Sequence, residues 1–523
     1  MPRLLPRLIL AVVAGLALAG AFEPLTLFFL LPFAVAGYFL VVRGLTPRRG
    51  FLVGWAFGIA FYFTHIVWMR SVGTDAWLAL AGAESLFYGA LGAAVAVLAH
   101  SRLWPLWAGL AWVAMEHIRC GWPFSGMPWG RLSYAVVDTP FADALPYVGA
   151  TGVSLGLALL GSLLAWLAVT PRRVPAFGAL AAVLVAFAAA DLRPWQPNVT
   201  AHLDVAAVQG DVPGPGNDIL WDHRQVTRNH AEATEQLARD IAAGTAAKPD
   251  FVLWPENSTA TDPFRDARDH AAILDALQAV DVPILVGAMV DGGSRHVYNQ
   301  GIVWDPVTGP GERYTKRHPV PFGEYIPFRA VLDDLTGGWN FGRLSRIGRD
   351  MVAGTGKEPL TVAGVPVADA ICFDIAYDDV LYDQVSRGAQ LVTVQTSNAL
   401  FIFTHQIEQQ FAITRLRAIE TGRYVVVASP NGRTGVIAPD GSVIATARPR
   451  TTSVLNEQVG LVSGITPAVW LGPWPGRVVL LTTAVALIAV SIRWPRRRSV
   501  VATPDDVSLE QPFNEPTGEK TPT

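Results

Sequence analysis

Runs of apolar residues close to the length of about 20 that crosses a bilayer recur through the first 190 positions of the chain. They fall near 6–22, 25–42, 51–69, 76–99, 103–118, 151–169 and 174–190, and one more lies near 476–494. Each is read as a membrane-spanning helix. The first has Arg3 and Arg7 before its apolar core, like a secretory leader, but it runs on into further spans and is read as a retained helix. From about Asn198 the pattern changes. Short Val- and Ile-rich runs at 202–209, 251–254, 283–287, 300–304, 367–372, 391–395 and 424–428 predict strands, and helical stretches at 222–243, 266–280, 378–388 and 405–421 alternate with them. Such alternation predicts a layered α/β domain with buried sheets. The expected division is a membrane bundle over 1–195, an α/β domain over 196–474, an eighth span over 475–495 and a disordered tail over 496–523.

Composition sharpens this picture. Of 523 residues 51% are hydrophobic and only 16% charged, against about 25% charged in ordinary soluble proteins. The net charge of -3 is not massed into a basic patch, which argues against nucleic acid as a partner. Two cysteines, Cys120 and Cys372, are too few for a disulfide framework, and ten scattered histidines show no ligand spacing, so neither a metal nor a cofactor is expected.

Arginine placement gives an orientation. Arg3 and Arg7, then Arg43, Arg48 and Arg49, then Arg102, then Arg172 and Arg173, then Arg493 and Arg496 to Arg498 all fall in loops on one side if eight spans follow in order. The opposite loops hold chiefly Arg70, Arg119 and Arg131. The arginine-rich side is the cytoplasm by the positive-inside rule, so the α/β domain is expected beyond the outer face. Within the bundle, Glu84 is an ionisable residue in a predicted span and hence a functional candidate beside a plain hydrogen-bonding role. The Gly- and Pro-broken stretch 120–130 suits an interfacial or re-entrant segment, either a lipid entry port or an anchored loop.

Three segments of the α/β domain carry reactive side chains at strand ends. Leu253-Trp-Pro-Glu256 places a carboxylate just past a buried strand, where it can serve as a general base or merely cap a helix. Tyr314-Thr-Lys316-Arg-His318-Pro-Val-Pro-Phe-Gly-Glu324 is a rigid loop that holds a lysine near a second acid. Ala368-Asp-Ala-Ile-Cys372-Phe-Asp374 delivers a thiol to a turn, as nucleophiles are often presented, although a lone cysteine is by itself more often a small buried hydrophobe. A free thiol near neutral pH is mostly protonated, and a base and a cation of this kind are what its activation requires.

Trp-Pro-Glu256, Lys316-Arg-His-Pro-Val-Pro-Phe-Gly-Glu324 and Cys372 at a strand end, in that order, resemble the Glu-Lys-Cys triad of the nitrilase superfamily. With this domain inserted between the seventh and eighth spans, the chain is similar to the apolipoprotein N-acyltransferase family within it, over about 1–495. The resemblance implies a polytopic membrane bundle of eight spans carrying an extracytoplasmic α-β-β-α sandwich. It implies Cys372 as nucleophile, Glu256 as base and Lys316 as oxyanion stabiliser, with Glu324 and the backbone of Phe373 in support. Trp221 and Asn299 match positions that shape the site or bind substrate, and Trp339 and Phe341 lie in the Gly-, aromatic- and Arg-containing stretch 336–348, which is either a membrane-touching lid that contacts substrate or an ordinary surface loop. Where the family pattern has Tyr-Glu after the cysteine, this chain has Phe373-Asp374, which leaves the chemistry intact and bears on acyl or headgroup preference. His318 raises a Cys/His alternative, but Lys316 in the same loop is the better match.

The implied reaction takes a fatty acyl chain from a phospholipid onto Cys372 as a thioester, then passes it to the α-amine of a diacylglyceryl-cysteine lipoprotein. The enzyme is expected to be a monomer in the bacterial inner membrane. A membrane-anchored amidase using the same triad on a small C–N substrate is the nearest alternative, and the multi-span bundle weighs against it. A transporter or receptor would call for repeats or paired broken helices in the bundle, and no convincing repeat is present.

Overall fold

The computed structural model describes residues 4–171, 173–329, 331 and 347–493. Among them seven α-helices precede the first strand: α1 (Leu4–Gly20), α2 (Leu31–Val42), α3 (Pro47–His65), α4 (Thr74–Leu98), α5 (Trp104–Arg119), α6 (Leu145–Val169) and α7 (Arg173–Asp191). By length and composition four described helices can cross a membrane, namely Thr74–Leu98, Pro140–Val169, Arg173–Asp191 and Trp474–Ile492, with Leu4–Gly20 and Phe28–Val42 apolar but shorter. The run expected over 25–42 is not one continuous α-helix. Pro24 and Pro32 remove backbone donors there, and a 3-10 turn, Phe28–Leu30, leads into the short α2.

Small residues set the bundle's packing. Gly50, Gly54 and Gly58 on α3 lie so close to α4 that a Cβ on any of them would collide with the main chain at Gly92, Tyr88 or Ser85. Such spacing lets helices approach closely in an apolar phase. Around this contact Tyr38, Phe57, Tyr88 and Trp112 form an interlocked aromatic centre. Large apolar side chains on the outward faces of α1, α7 and the last helix are exposed, among them Ile9, Val13, Val185, Leu481 and Ile488, a surface suited to lipid.

The α/β part is two sheets face to face. The strands that matter here are β1 (Asn198–Gln209), β2 (Phe251–Leu253), β3 (Ile284–Asp291), β4 (His296–Asp305), β5 (Gly309–Thr315), β8 (Val365–Ile371) and β9 (Leu391–Gln395). Besides these the sheets contain β6 (Asp350–Met351), β7 (Leu360–Val362), β10 (Val425–Ala428), β11 (Gly435–Ile437), β12 (Val443–Thr446) and β13 (Ser453–Ser463). The first sheet has the order β13-β1-β2-β3-β4-β5, with β6 paired on β4, and the second runs β12-β11-β10-β9-β8-β7. Strand side chains alternate between faces. Val205 and Ala207 of β1 therefore join the layer between the sheets, whereas Ala206 and Val208 pack outward beneath α8 (His223–Ala242) and α9 (Ala267–Val280). On the second sheet's other side lie α10 (Asp378–Ser386) and α11 (Gln406–Thr421), whose buried Val380, Leu381, Phe411 and Leu416 continue its core. The helices and sheets make four layers.

Bundle and sandwich share one continuous core. At Gly149, φ +66° breaks the start of α6 and brings the chain against the sandwich, where Ala150 N–H and the Tyr382 hydroxyl both donate to Glu420 Oε1 at 2.6 and 2.7 Å. Arg131, in the loop after α5, reaches Asp378 at the start of α10 at 2.7 Å. The last helix (Trp474–Arg493) returns to the bundle, with Gly476 against the His117 ring of α5.

Candidate active site

The strands β2, β5 and β8 end at one edge of the sandwich, and each is followed by one reactive side chain. Glu256 lies in the turn after β2, Lys316 directly follows β5, and Cys372 directly follows β8. The backbone turns sharply at these points. Cys372 has φ +53°, Asn257, beside Glu256, has +58°, and Phe322, in the turn that carries Glu324, has +59°. Left-handed non-glycine residues cost about 1–3 kcal/mol each and persist where their surroundings enforce them, often at functional sites. Gly287 on β3 makes room for the first turn, because a Cβ there would strike Pro255 and Glu256.

Lys316 is completely buried, and its Nζ donates to Glu256 Oε1 at 3.2 Å and to Glu324 Oε1 at 2.6 Å. Glu256 is nearly as buried and accepts two further hydrogen bonds, from Asn299 Nδ2 and from the Ser397 N–H, both at 2.7 Å. Glu324 Oε2 accepts the Val320 N–H at 2.8 Å. The carboxylates are thus fixed in place around one ammonium. Burial alone would lower Lys316, but the charges of Glu256, Glu324 and the thiol outweigh it and hold the amine well above its usual range, so it is a permanent cation. Burial pushes Glu324 up, with Lys316 opposing.

The Cys372 thiol is within electrostatic reach of all three groups. Burial pushes it up to about 12, the charge of Glu256 adds to the push, and Lys316 and the Thr396 hydroxyl pull against it. At neutral pH it therefore rests as a thiol and needs a base to ionise it. Gln410 on α11 secures the turn, with Nε2 donating to the Cys372 carbonyl at 3.3 Å and to Thr396 Oγ1 at 2.9 Å.

Asp374 braces the Cys372 turn against the lysine loop. Its Oδ2 accepts the Tyr314 hydroxyl at 2.7 Å and the Arg317 N–H at 3.2 Å, and its Oδ1 accepts the His318 N–H at 2.8 Å. The Phe373 ring stacks on Trp129 of the bundle's broken loop, 6.1 Å between centroids, so the residue after Cys372 touches the helical part directly. His318 stacks flat on Tyr377 at 3.7 Å and bonds Asp379 through Nε2, turned to the acidic end of α10.

Asn299 is completely buried and reaches Glu256 with its side chain while its carbonyl accepts the Lys316 N–H at 2.9 Å, a shaping contact. Trp221 is 65% exposed, its indole against Gly214, in a loop whose Val212 and Ile219 pack with Ala260 and Ala399. Trp339 and Phe341, with most of the stretch 336–348, lie outside the described residues. Gln395, Ser397, Thr396 and Gln410 escaped the sequence reading; polar residues at the end of the buried β9 run and on the inner face of α11 were their only signal.

A family model described as carbon-nitrogen hydrolase matches residues 204–463, the whole span that carries Glu256, Lys316 and Cys372. The chain's sandwich is thus of the carbon-nitrogen hydrolase class. A second model, the apolipoprotein N-acyltransferase N-terminal domain, matches residues 14–163 of the bundle. Curated relatives extend over both parts. The apolipoprotein N-acyltransferase of Mycolicibacterium smegmatis is 37% identical over 94% of this chain and 87% of its own length. That of Azotobacter vinelandii is 31% identical over 91% of this chain and 94% of its own. The chain belongs to the apolipoprotein N-acyltransferase family. Among solved structures, an amidase from Nesterenkonia sp. aligns with a TM-score of 0.36 and 15% identity, over 52% of this chain and 94% of that one.

Proposed function

We propose that this enzyme transfers a fatty acyl chain from a phospholipid to the N-terminal α-amine of diacylglyceryl-cysteine apolipoproteins, by way of a thioester on Cys372. The observation that carries the reading is a buried Lys316 ammonium held between two carboxylates beside a thiol at a strained strand end. That apparatus is joined to an apolar bundle through Phe373 and Trp129.

In the first half-reaction Glu256 takes the Cys372 proton as sulfur attacks an ester carbonyl of the phospholipid. Negative charge gathers on the carbonyl oxygen, and Lys316, with the Phe373 backbone N–H, stabilises it. Collapse breaks the ester C–O bond, Glu256 returns the proton to the departing alkoxide, and lysophospholipid leaves. In the second half the acceptor α-amine attacks the thioester, gives its proton to Glu256 and displaces the thiolate, which is then reprotonated. Glu324 keeps Lys316 aimed at the oxyanion position.

The bundle keeps the thiol at the lipid surface, turning a rare encounter into an oriented one. Arginine placement favours eight spans over 1–195 and 475–495, with the sandwich of 196–474 on the extracytoplasmic face of the inner membrane. The test is to supply purified enzyme with phospholipid vesicles and a diacylglyceryl-cysteine peptide. An amide-linked acyl chain on the peptide N-terminus is expected; release of free fatty acid with no acylated peptide contradicts transfer and favours a hydrolase.

A further inference from the structure

Beneath the triad, between the two sheets, lies a second buried carboxyl that the mechanism does not use. Asp369, on β8 three residues before Cys372, is completely buried, and among the described residues no cation forms an ion pair with it. Its Oδ1 accepts the Thr393 hydroxyl at 2.8 Å. Its Oδ2 has no hydrogen-bond partner among the described residues. On the neighbouring strand β9 of the same sheet, the side-chain oxygen of Gln395 is also buried and has no partner among the described residues. Both oxygens crowd the same spot over Gly301 of β4, where a Cβ would collide with Asp369 Oδ2 and Gln395 Oε1 alike.

Two acceptors left facing one another in a dry layer is a costly arrangement. Turning the Gln395 amide over does not relieve it. Its Nε2 already donates to the Trp254 carbonyl at 2.6 Å and to the Leu285 carbonyl at 3.3 Å, and a flipped amide would set oxygen against both. A proton on Asp369 Oδ2 satisfies both atoms with one bond. The surroundings favour it: Thr393, Gln384, Gln395 and Gly301 are neutral, and the titratable groups that bear on Asp369 are Asp374 from the following turn and the Tyr314 phenol from β5. Burial pushes Asp369 up to about 7, which Asp374 reinforces and Thr393 opposes.

We propose that Asp369 is a positioning residue that carries a proton in the working enzyme and donates it from Oδ2 to Gln395 Oε1, so that one hydrogen-bonded line joins the strand of the nucleophile to the strand of the base. The line runs from Thr393 through Asp369 and Gln395 to the Trp254 carbonyl, two residues before Glu256. Losing the proton puts a charge against the Gln395 oxygen, displaces Gln395 from the Trp254 carbonyl on the facing sheet and shifts Glu256 relative to Cys372. A displacement of about 1 Å in a reacting pair costs about 10²-fold in rate.

The role rests on the acyl-transfer reading, but its test separates the two. Full-length wild-type enzyme and Asp369→Asn are compared by infrared difference spectroscopy across neutral pH. The expected result is a protonated-carboxylic-acid C=O band that fades as pH rises and is absent from D369N; no such band overturns the proposal, whether or not Cys372 is acylated by phospholipid. In single-turnover acylation Asp369→Ala is expected to lose about 10²-fold. D369N, whose amide keeps the same donor and acceptor pattern, is expected to rescue most of that loss and to remove the mildly alkaline decline expected of the wild type. A D369N variant as damaged as D369A, or one with an unchanged pH profile, overturns the proposal.

Discussion

Each of the chain's two cysteines sits beside a buried cation and a buried carboxylate, and the two places are built differently. In the bundle, Cys120 follows Arg119, whose guanidinium meets Glu84 at 3.3 Å and donates to the Met127 and Trp129 carbonyls at 2.5 and 2.7 Å. That cation is committed to holding a Gly- and Pro-broken loop, and Cys120 keeps ordinary helical backbone at φ −72°. In the sandwich, Cys372 is forced to φ +53°, and its cation bonds two carboxylates, one of which takes three donors in all. The same residue types anchor a loop in one place and form a reactive cluster in the other. What differs is where the donors point. Glu84 is Arg119's ion-pair partner there.

The contrast can be broken most sharply by removing each thiol in turn. Cys372→Ala is expected to abolish transfer to the level of the uncatalysed reaction, while Cys120→Ala keeps the wild-type rate in the same assay of acylated peptide. Next in size, Glu256→Gln and Lys316→Met are each expected to slow single-turnover acylation by about 10²–10³-fold. Arg119→Met, by contrast, strands Glu84 in the bundle. Breaking a buried pair costs about 3–5 kcal/mol, so a large fall in unfolding temperature in detergent is expected, with turnover per folded molecule retained.

The smallest effect concerns acid. Burial opposes ionisation of Asp378, but Arg131 and Arg417 prevail and hold it at about 2, below the ordinary aspartate value of 3.8. A depressed carboxyl contributes stability above its unfolded value and loses it as pH falls through its folded one. The junction of bundle and sandwich is therefore expected to weaken between about pH 4 and 2, and Asp378→Asn to flatten that part of an unfolding profile.

Much of the site was legible because its chemistry sits next to strong patterns. Glu256 and Cys372 each follow an apolar β-run, and the prolines around Lys316 mark a rigid loop. The helix expected over 266–280 is found at Ala267–Val280, and the strand over 391–395 at Leu391–Gln395. Strand β5, GPGERYT, was hidden by its glycines and proline, which speak against strands unless pairing overrides them. The start of α6 was hidden too, since Gly149 breaks the run and the helix resumes only because Glu420, distant in sequence, receives Ala150. Gln395, Ser397 and Gln410 are legible only in three dimensions, because their importance lies in which backbone they meet.

The most direct measurement is the intact mass of the enzyme after incubation with phospholipid and no acceptor, with peptide mapping of the modified residue. One fatty acyl adduct is expected on Cys372, discharged when a diacylglyceryl-cysteine peptide is added and recovered as an amide on that peptide. An unmodified Cys372 alongside acylated peptide, or an adduct on another residue that discharges in its place, would contradict the account.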